Sequence, residues 1–535
     1  MNLKKSCDLI QSLQDLHKDY LKDESRISGK AESISFPENE AQVQTIVKIL
    51  LKQKTPITVQ GSRTGITGGA VPVCGHILNL SKMIKVTGLE FDPDGKFSIR
   101  VQPGISLSEL NEKLLSCRFD SDDWDKKVLK ALNVFKKAGR FFWPPDPSER
   151  SASIGGIAAN NSRGSCSFHY GPARLHIKSI RVVDTYGEIH SIEQGMYVFT
   201  RGACPLPGGK VIQLDPALLQ RQSEENFKDP CDLVDLYLGS EGMLGVITEL
   251  TLSLRPLPKE QWGIVFFFEH QSRALDFIQR IQPIQKRQKR KKEQKTGLDT
   301  DIAAIEYMDQ TTLECIQYYK QVNTQVKELP DLDKSLTTAV YVEIHGNSTK
   351  QVEELSEMLL ETAVQCDCDP DNTWAFCGEI EIERSRIFCH AAAESVNWFI
   401  DKARLKDSRI TRLGMDMRLE KGSLNELLEM FGRDIKSHGL KAAIFGHAAC
   451  GHFHVNILPQ DYQQFDKGRR LIQEWAKKIY AQKGSVVTEH GVGKINKELF
   501  RSIPLPQNLK VIQSVKQQLD PDGLWNPDNM PDSYK

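Results

Sequence analysis

Residues 446–458, GHAACGHFHVNIL, concentrate side chains able to bind a metal ion. His447, His452 and His454 are three of the chain's 13 histidines, and they fall within eight residues. A lone histidine is ordinarily a solvated or core residue. Three so close together point instead to a metal site. HFHVNIL alternates, with Phe453, Val455 and Ile457 on one face of an extended strand and His452, His454 and Asn456 on the other. Glu489 and His490 supply a further carboxylate and imidazole. Neighbours in an extended chain point opposite ways, so one ligand and one general base is the economical division of that pair.

Residues 59–72, VQGSRTGITGGAVP, carry a different chemistry. An apolar run leads into a loop with Gly61, Gly65, Gly68 and Gly69, and Thr64 and Thr67 lie between them. Glycine lets successive backbone N–H groups converge on one anion, and the hydroxyls add donors, so the loop suits a phosphate or pyrophosphate. No Gly-Lys-Ser/Thr follows, which excludes a Walker A loop. Pro72 blocks a following helix, which excludes the dinucleotide fingerprint.

Further segments follow in order: SERSASIGGIAANNSRGSCSFHYG (148–171), DLYLGSEGMLGVITELTLSLRPLP (235–258), the histidine segment, TEHGVGK (488–494) and DPDGLWNP (520–527). Together with the glycine loop they resemble the vanillyl-alcohol-oxidase/PCMH type of FAD-linked oxidoreductase. The resemblance is to the branch containing D-lactate dehydrogenase, D-2-hydroxyglutarate dehydrogenase and the glycolate oxidase D subunit. It implies an α+β chain with a PCMH-type FAD-binding domain over residues 1–258. An α/β cap with an antiparallel sheet, of the FAD-linked oxidase C-terminal type, would span 259–484. Residues 485–535 would pack back on the FAD domain.

The resemblance also implies roles. FAD would be held by Gly61, Ser62, Arg63, Thr64, Gly65, Thr67, Gly68 and Gly69 of the first loop, by Pro145, Ser153, Gly155, Gly156, Asn161 and Gly164, by Gly242, Gly245 and Ile247, and by Asn526. His447, His454 and Glu489 match the ligands of a divalent metal, zinc foremost, and His490 matches the general base. The activity implied is oxidation of a D-2-hydroxy acid, with electrons passed to an external acceptor: an electron-transfer flavoprotein, an iron–sulfur subunit or a quinone.

This chain departs from the branch at several positions. Ser62 and Arg63 stand where the flavin loop usually has glycines, and Arg63 could add a charge-assisted bond to the pyrophosphate. Ala449 and Cys450 replace the Gly-Asp of the metal loop, and Cys450 is a softer ligand. Cys389 replaces the customary substrate-binding arginine, and Ala393 a proline. Arg412, where relatives carry lysine, and Arg386 are therefore the candidates for the substrate's carboxylate, with Arg418 less suited. Two other readings stay open: a flavoprotein subunit whose pocket has diverged from catalysis, and an alkylglycerone-phosphate-synthase-like enzyme without net redox.

Bulk composition sets the frame. The 535 residues exceed one core, and 70 basic against 70 acidic residues give no field favouring nucleic acid or an anionic membrane. The N-terminus lacks a secretory pattern, and no apolar run is long enough to span a bilayer. The expected location is the cytoplasm, at most peripheral to a membrane, with the 12 cysteines mostly as thiols.

Elements must position these side chains. Helical spacing of Val43, Ile46, Val47 and Leu50, behind an Asn39/Gln42 capping box, predicts a helix over 39–52. Ser106 and Glu109 start another, and residues 177–192 read as a hairpin around Tyr186-Gly187. Residues 120–127 read as a charged surface stretch. In the cap, 263–270 and 338–346 read as buried strands, and 272–281, 311–322 and 349–364 as helices on one side. KRQKRKKEQK (286–295), with seven basic residues in ten, reads as a solvated loop. His76, just after the glycine loop, reads as a strand residue rather than a covalent flavin attachment.

Overall fold

The computed structural model of the chain describes residues 9–147, 149–219, 231–293, 300–419, 424–486 and 489–530. The chain divides into two units, one drawn from Met1–Arg163, Pro172–Leu257 and Glu489–Lys535, the other from Gly164–Gly171 and Pro258–Thr488.

In the first unit, helix Glu40–Lys52 buries Val43, Ile46, Val47 and Leu50, the four positions that its periodicity predicts. Asn39 caps it by accepting from the Gln42 N–H. The expected reciprocal bond goes elsewhere, because the Gln42 side chain accepts from the Glu38 N–H. The buried stripe packs with Ile57, Leu78 and Trp525. Trp525 is fully buried, so its truncation to alanine would cost ~3–5 kcal/mol. Asn526 donates its N–H to the Ile57 carbonyl, which fixes the C-terminal segment beside strand Ile57–Gln60.

Strands Gln11–Ser12, Ser33–Ser35, His76–Asn79 and Ile57–Gln60 form one sheet in that order, and the last three run parallel. A five-stranded antiparallel sheet holds Val86–Phe91, Phe97–Val101, Gly245–Ser253, Ile177–Asp184 and Ile189–Glu193, with the expected hairpin at its edge. The charged stretch at 120–127 lies at the surface as read, with only Trp124 buried, and it leads into a helix that was not expected: Asp125 caps Lys126–Ala138, which buries Val128, Leu132 and Phe135. One buried apolar residue per turn is enough to dock this helix, whose exposed positions include five lysines.

The second unit is built on a seven-stranded antiparallel sheet. Its order is Trp374–Cys377, Glu260–Phe268, Thr338–Gly346, Thr300–Met308, Ala442–His447, Phe453–Ile457 and Gly414–Met417. Helices cover both faces, which corrects the one-sided expectation. Phe266 and Phe268 meet Phe277 of helix Gln271–Glu293, whereas Phe267 meets Phe388 of helix Glu379–Lys406. The unbroken apolar run 264–268 already carried this information, since a sheet with one wet face would alternate. The basic run is corrected too. Helix Gln271–Glu293 continues through most of it, as lysine, arginine and glutamine readily allow, and its side chains from 285 onward lie outside the described residues.

Candidate flavin and metal site

The glycine loop follows strand Ile57–Gln60. Among the described residues, no backbone N–H from 62 to 69 donates a hydrogen bond to a protein acceptor. A run of unengaged donors in a left-handed turn, with Arg63 at φ 61° and Gly68 at φ 79°, is the geometry of an anion cradle, and it fits the pyrophosphate of FAD. Glycine at 61 has a steric reason: a Cβ there would lie 2.1 Å from the Ser153 Oγ, which caps helix Ile154–Ala159. At Gly245, φ is 122° and a Cβ would lie 2.5 Å from the Val183 carbonyl.

The other expected flavin contacts take varied places. Asn526 accepts from the Val59 N–H at 2.7 Å and donates to the Glu241 carbonyl at 2.6 Å. Asn161 accepts from the Arg174 N–H at 3.1 Å, and Gly155 packs on Pro103. Gly156 donates its N–H to Ser153. Ile247 is buried in strand Gly245–Ser253, and Pro145 is buried. The Arg63 guanidinium stacks 4.3 Å from the Tyr20 ring centre. Gly164 falls in the second unit, where Gly164–Gly171 docks through Tyr170 on His345 at 2.7 Å.

His76 sits between Ser33 and Ser35, its ring nitrogens 2.8 and 2.7 Å from the two hydroxyls, and burial pulls its pKa down to about 4.

Glu489 and His490 hang on the glycine loop. The Glu489 carbonyl accepts from the Asn160 amide at 2.8 Å, and the His490 carbonyl accepts from the Thr67 hydroxyl at 3.1 Å. The N–H groups of Lys494 and Ile495 both donate to the Thr67 carbonyl. Lys494 Nζ donates to the Gly68 carbonyl at 3.2 Å and to Asn529 at 2.6 Å, and burial lowers its pKa to about 8 against the pull of Asp528 and Glu241. The Glu241 carboxylate accepts from the Val492 and Gly493 N–H groups at 2.7 and 2.9 Å.

In the second unit, strand register places the two candidate imidazoles. His447 stands directly opposite Glu306, and His454 directly opposite Asp416. Each ring gives its Nδ1 to the facing carboxylate, at 2.7 and 2.6 Å. Nδ1–H on each ring makes Nε2 the nitrogen that presents a lone pair, and the ring centres lie 5.3 Å apart. Carboxylate-oriented imidazoles of this kind fit a divalent ion such as zinc. The His447 carbonyl accepts from Cys450 and His452, which closes the turn between the two strands.

The two candidate arginines differ. Arg412 is buried, with Nη1 2.9 Å from the Asn397 amide oxygen and Nη2 3.2 Å from that of Asn456. Arg386 donates to Glu343 at 2.8 Å and to Glu383 at 2.9 Å. Burial pushes the Glu343 carboxyl up, but Arg386 and the bond to His345 hold it well below the usual carboxylate range. Sequence reading missed Glu306, Asp416, Glu343 and Glu241. The first three share a signal that could have revealed them, an acid inside an apolar strand: IAAIEYM, GMDM and AVYVEI.

A donor-rich glycine loop in one chain with an antiparallel cap is the arrangement expected of an FAD-dependent oxidoreductase. The family described as FAD linked oxidases, C-terminal domain, matches residues 297–530, and the FAD binding domain matches residues 31–120 and 128–193. The chain belongs to the PCMH-type FAD-linked oxidase family. D-lactate dehydrogenase of Anaerostipes hadrus is 23% identical over 523 residues, spanning 96% of this chain and 92% of its own. The mitochondrial D-2-hydroxyglutarate dehydrogenase of Rattus norvegicus is 22% identical over 522 residues, 97% of this chain and 81% of its own. A solved alkyldihydroxyacetonephosphate synthase shares the fold, with TM-score 0.58 and 16% identity over 98% of this chain and 85% of that one. The chain is thus an FAD-dependent enzyme related to dehydrogenases of hydroxy acids. No helix among the described residues is long and apolar enough to cross a membrane.

Proposed function

We propose that the enzyme oxidises a D-2-hydroxy acid to the 2-oxo acid and passes the electrons to an external acceptor. The observation that supports this best is the pair of cross-strand carboxylate–imidazole contacts, Glu306 to His447 and Asp416 to His454. They orient two Nε2 atoms as ligands, and Glu489 is the third ligand of the proposed set.

FAD held by the glycine loop would supply the hydride acceptor, and a divalent ion, zinc foremost, held by His447, His454 and Glu489 would acidify the substrate's hydroxyl. His490 takes the hydroxyl proton, so hydride and proton both leave and the C–O bond becomes a carbonyl. Arg412 holds the carboxylate, aimed by Asn397 and Asn456. Arg386, already paired with two glutamates, is the weaker candidate for that role.

Mixing the anaerobic holoenzyme with a panel of D- and L-2-hydroxy acids tests this. Bleaching of the oxidised flavin by a D-acid and not by its enantiomer is the expected result. A flavin that no member of the panel reduces would favour a non-catalytic flavoprotein subunit.

A further inference from the structure

Glu241 joins four segments of the first unit that the linear sequence keeps apart. Its N–H donates to the Ala159 carbonyl at 2.9 Å, and its carbonyl accepts from Asn526 at 2.6 Å. Its two carboxylate oxygens each take one N–H, from Val492 and from Gly493. The glycines around it are there for contact. A Cβ on Gly491 would lie 2.8 Å from Glu241 Oε1, and one on Gly493 would lie 2.3 Å from the Thr67 carbonyl.

The backbone adds a second, independent observation. Glu241 has φ 50°, a left-handed conformation that strains a non-glycine residue. Glycine or asparagine would bear that conformation more cheaply. A glutamate there is explained by what its side chain does, and that side chain grips the turn immediately after Glu489-His490.

We infer that Glu241 is a positioning residue, which sets the Glu489-His490 pair against the flavin loop by clamping the turn at 491–493. Two N–H bonds to a carboxylate hold that turn more firmly than neutral acceptors would. Thr67 and Asn160 hold the carbonyls of the same pair. The role in hydride transfer rests on the function proposed above; the clamp itself does not.

Glu241→Gln keeps the shape but turns an NH2 against one of the two donors. In the FAD-loaded variant, amide exchange of residues 491–493 should quicken at least about tenfold, with FAD affinity within about threefold of wild type. With the D-acid that best reduces the wild type, the limiting rate of flavin reduction should fall about 10–100-fold, the range typical of residues that orient ligands. Substrate half-saturation should stay within about threefold. Unchanged exchange at 491–493 would overturn the clamp. A limiting rate that falls only as far as FAD is lost would overturn the positioning role.

If Glu241→Gln does not fold, the wild-type holoenzyme still decides. The Val492 and Gly493 amides should rank among its slow exchangers, and exchange at the rate of exposed loops would overturn the inference. If no acid reduces the wild-type flavin, the proposed function fails, and the exchange measurements alone judge the clamp.

Discussion

His454 and Asp416 face each other across two antiparallel strands, Nδ1 to carboxylate 2.6 Å apart. One strand further on stands His447, and beyond it Glu306, so four adjacent strands present carboxylate, imidazole, imidazole and carboxylate in a row. The outer pair orients the inner pair. Asp416→Asn and Glu306→Gln should therefore each weaken zinc binding about 10–100-fold without touching the ion. Calorimetric titration of zinc into metal-stripped protein measures this, and unchanged affinity in both variants would remove the orienting role.

Glu489 and His490 are adjacent, and the proposed function gives them different work. Glu489→Gln should remove metal and activity together. His490→Asn should retain the metal and lose about 10²–10⁴-fold in the rate of flavin reduction. Elemental analysis of the two purified variants separates the roles, and loss of metal from His490→Asn would reverse them.

Arg412 and Arg386 should respond oppositely. Arg412→Met should cost about 2–4 kcal/mol in kcat/KM, as expected for a guanidinium paired with a buried carboxylate, with little change in unfolding. Arg386→Met leaves Glu343 buried without its cation and should destabilise the fold by ~3–5 kcal/mol. Paired kinetic and urea-unfolding measurements decide between them, and a wild-type kcat/KM in Arg412→Met would take Arg412 out of the site.

His76 makes stability depend on pH. Its folded pKa of about 4 lies below the ordinary 6.5. Between those values the unfolded chain binds a proton that the folded chain refuses, so stability is full above pH 6.5 and falls as the pH drops through that window. The loss attributable to this residue is ~3 kcal/mol. Urea unfolding at pH 4.5, 5.5 and 7 should show a steeper decline in wild type than in His76→Gln; parallel declines would refute the assignment.

Both nitrogens of His76 are taken by serines, so it is not expected to tether the flavin. Acid precipitation should release the yellow chromophore into the supernatant. Colour retained in the pellet would indicate a covalent link elsewhere.

Local signals were legible wherever one segment carried the whole message. The stripe of Val43, Ile46, Val47 and Leu50, the Ser106–Glu109 cap and the strand at 338–346 stand as read. Lys126–Ala138 escaped because its apolar stripe is diluted by five lysines, and the two-sided cap escaped because the apolar run 264–268 marks a strand buried on both faces without saying which helices cover them.

The sequence by itself determined the types of group available: a glycine loop rich in backbone donors, two histidines flanking a turn, and an acid–imidazole dipeptide. Glycines and histidines announce themselves because few other residues can replace their conformational or ligating roles. Tertiary structure alone decided their partners. Glu306 lies 141 residues from His447, and Glu241 lies 251 from Val492, and only strand register and chain crossing bring such pairs into contact. A hydrogen bond depends on positions within a few tenths of an ångström, and that information resides in the packing of distant segments, not in any one of them.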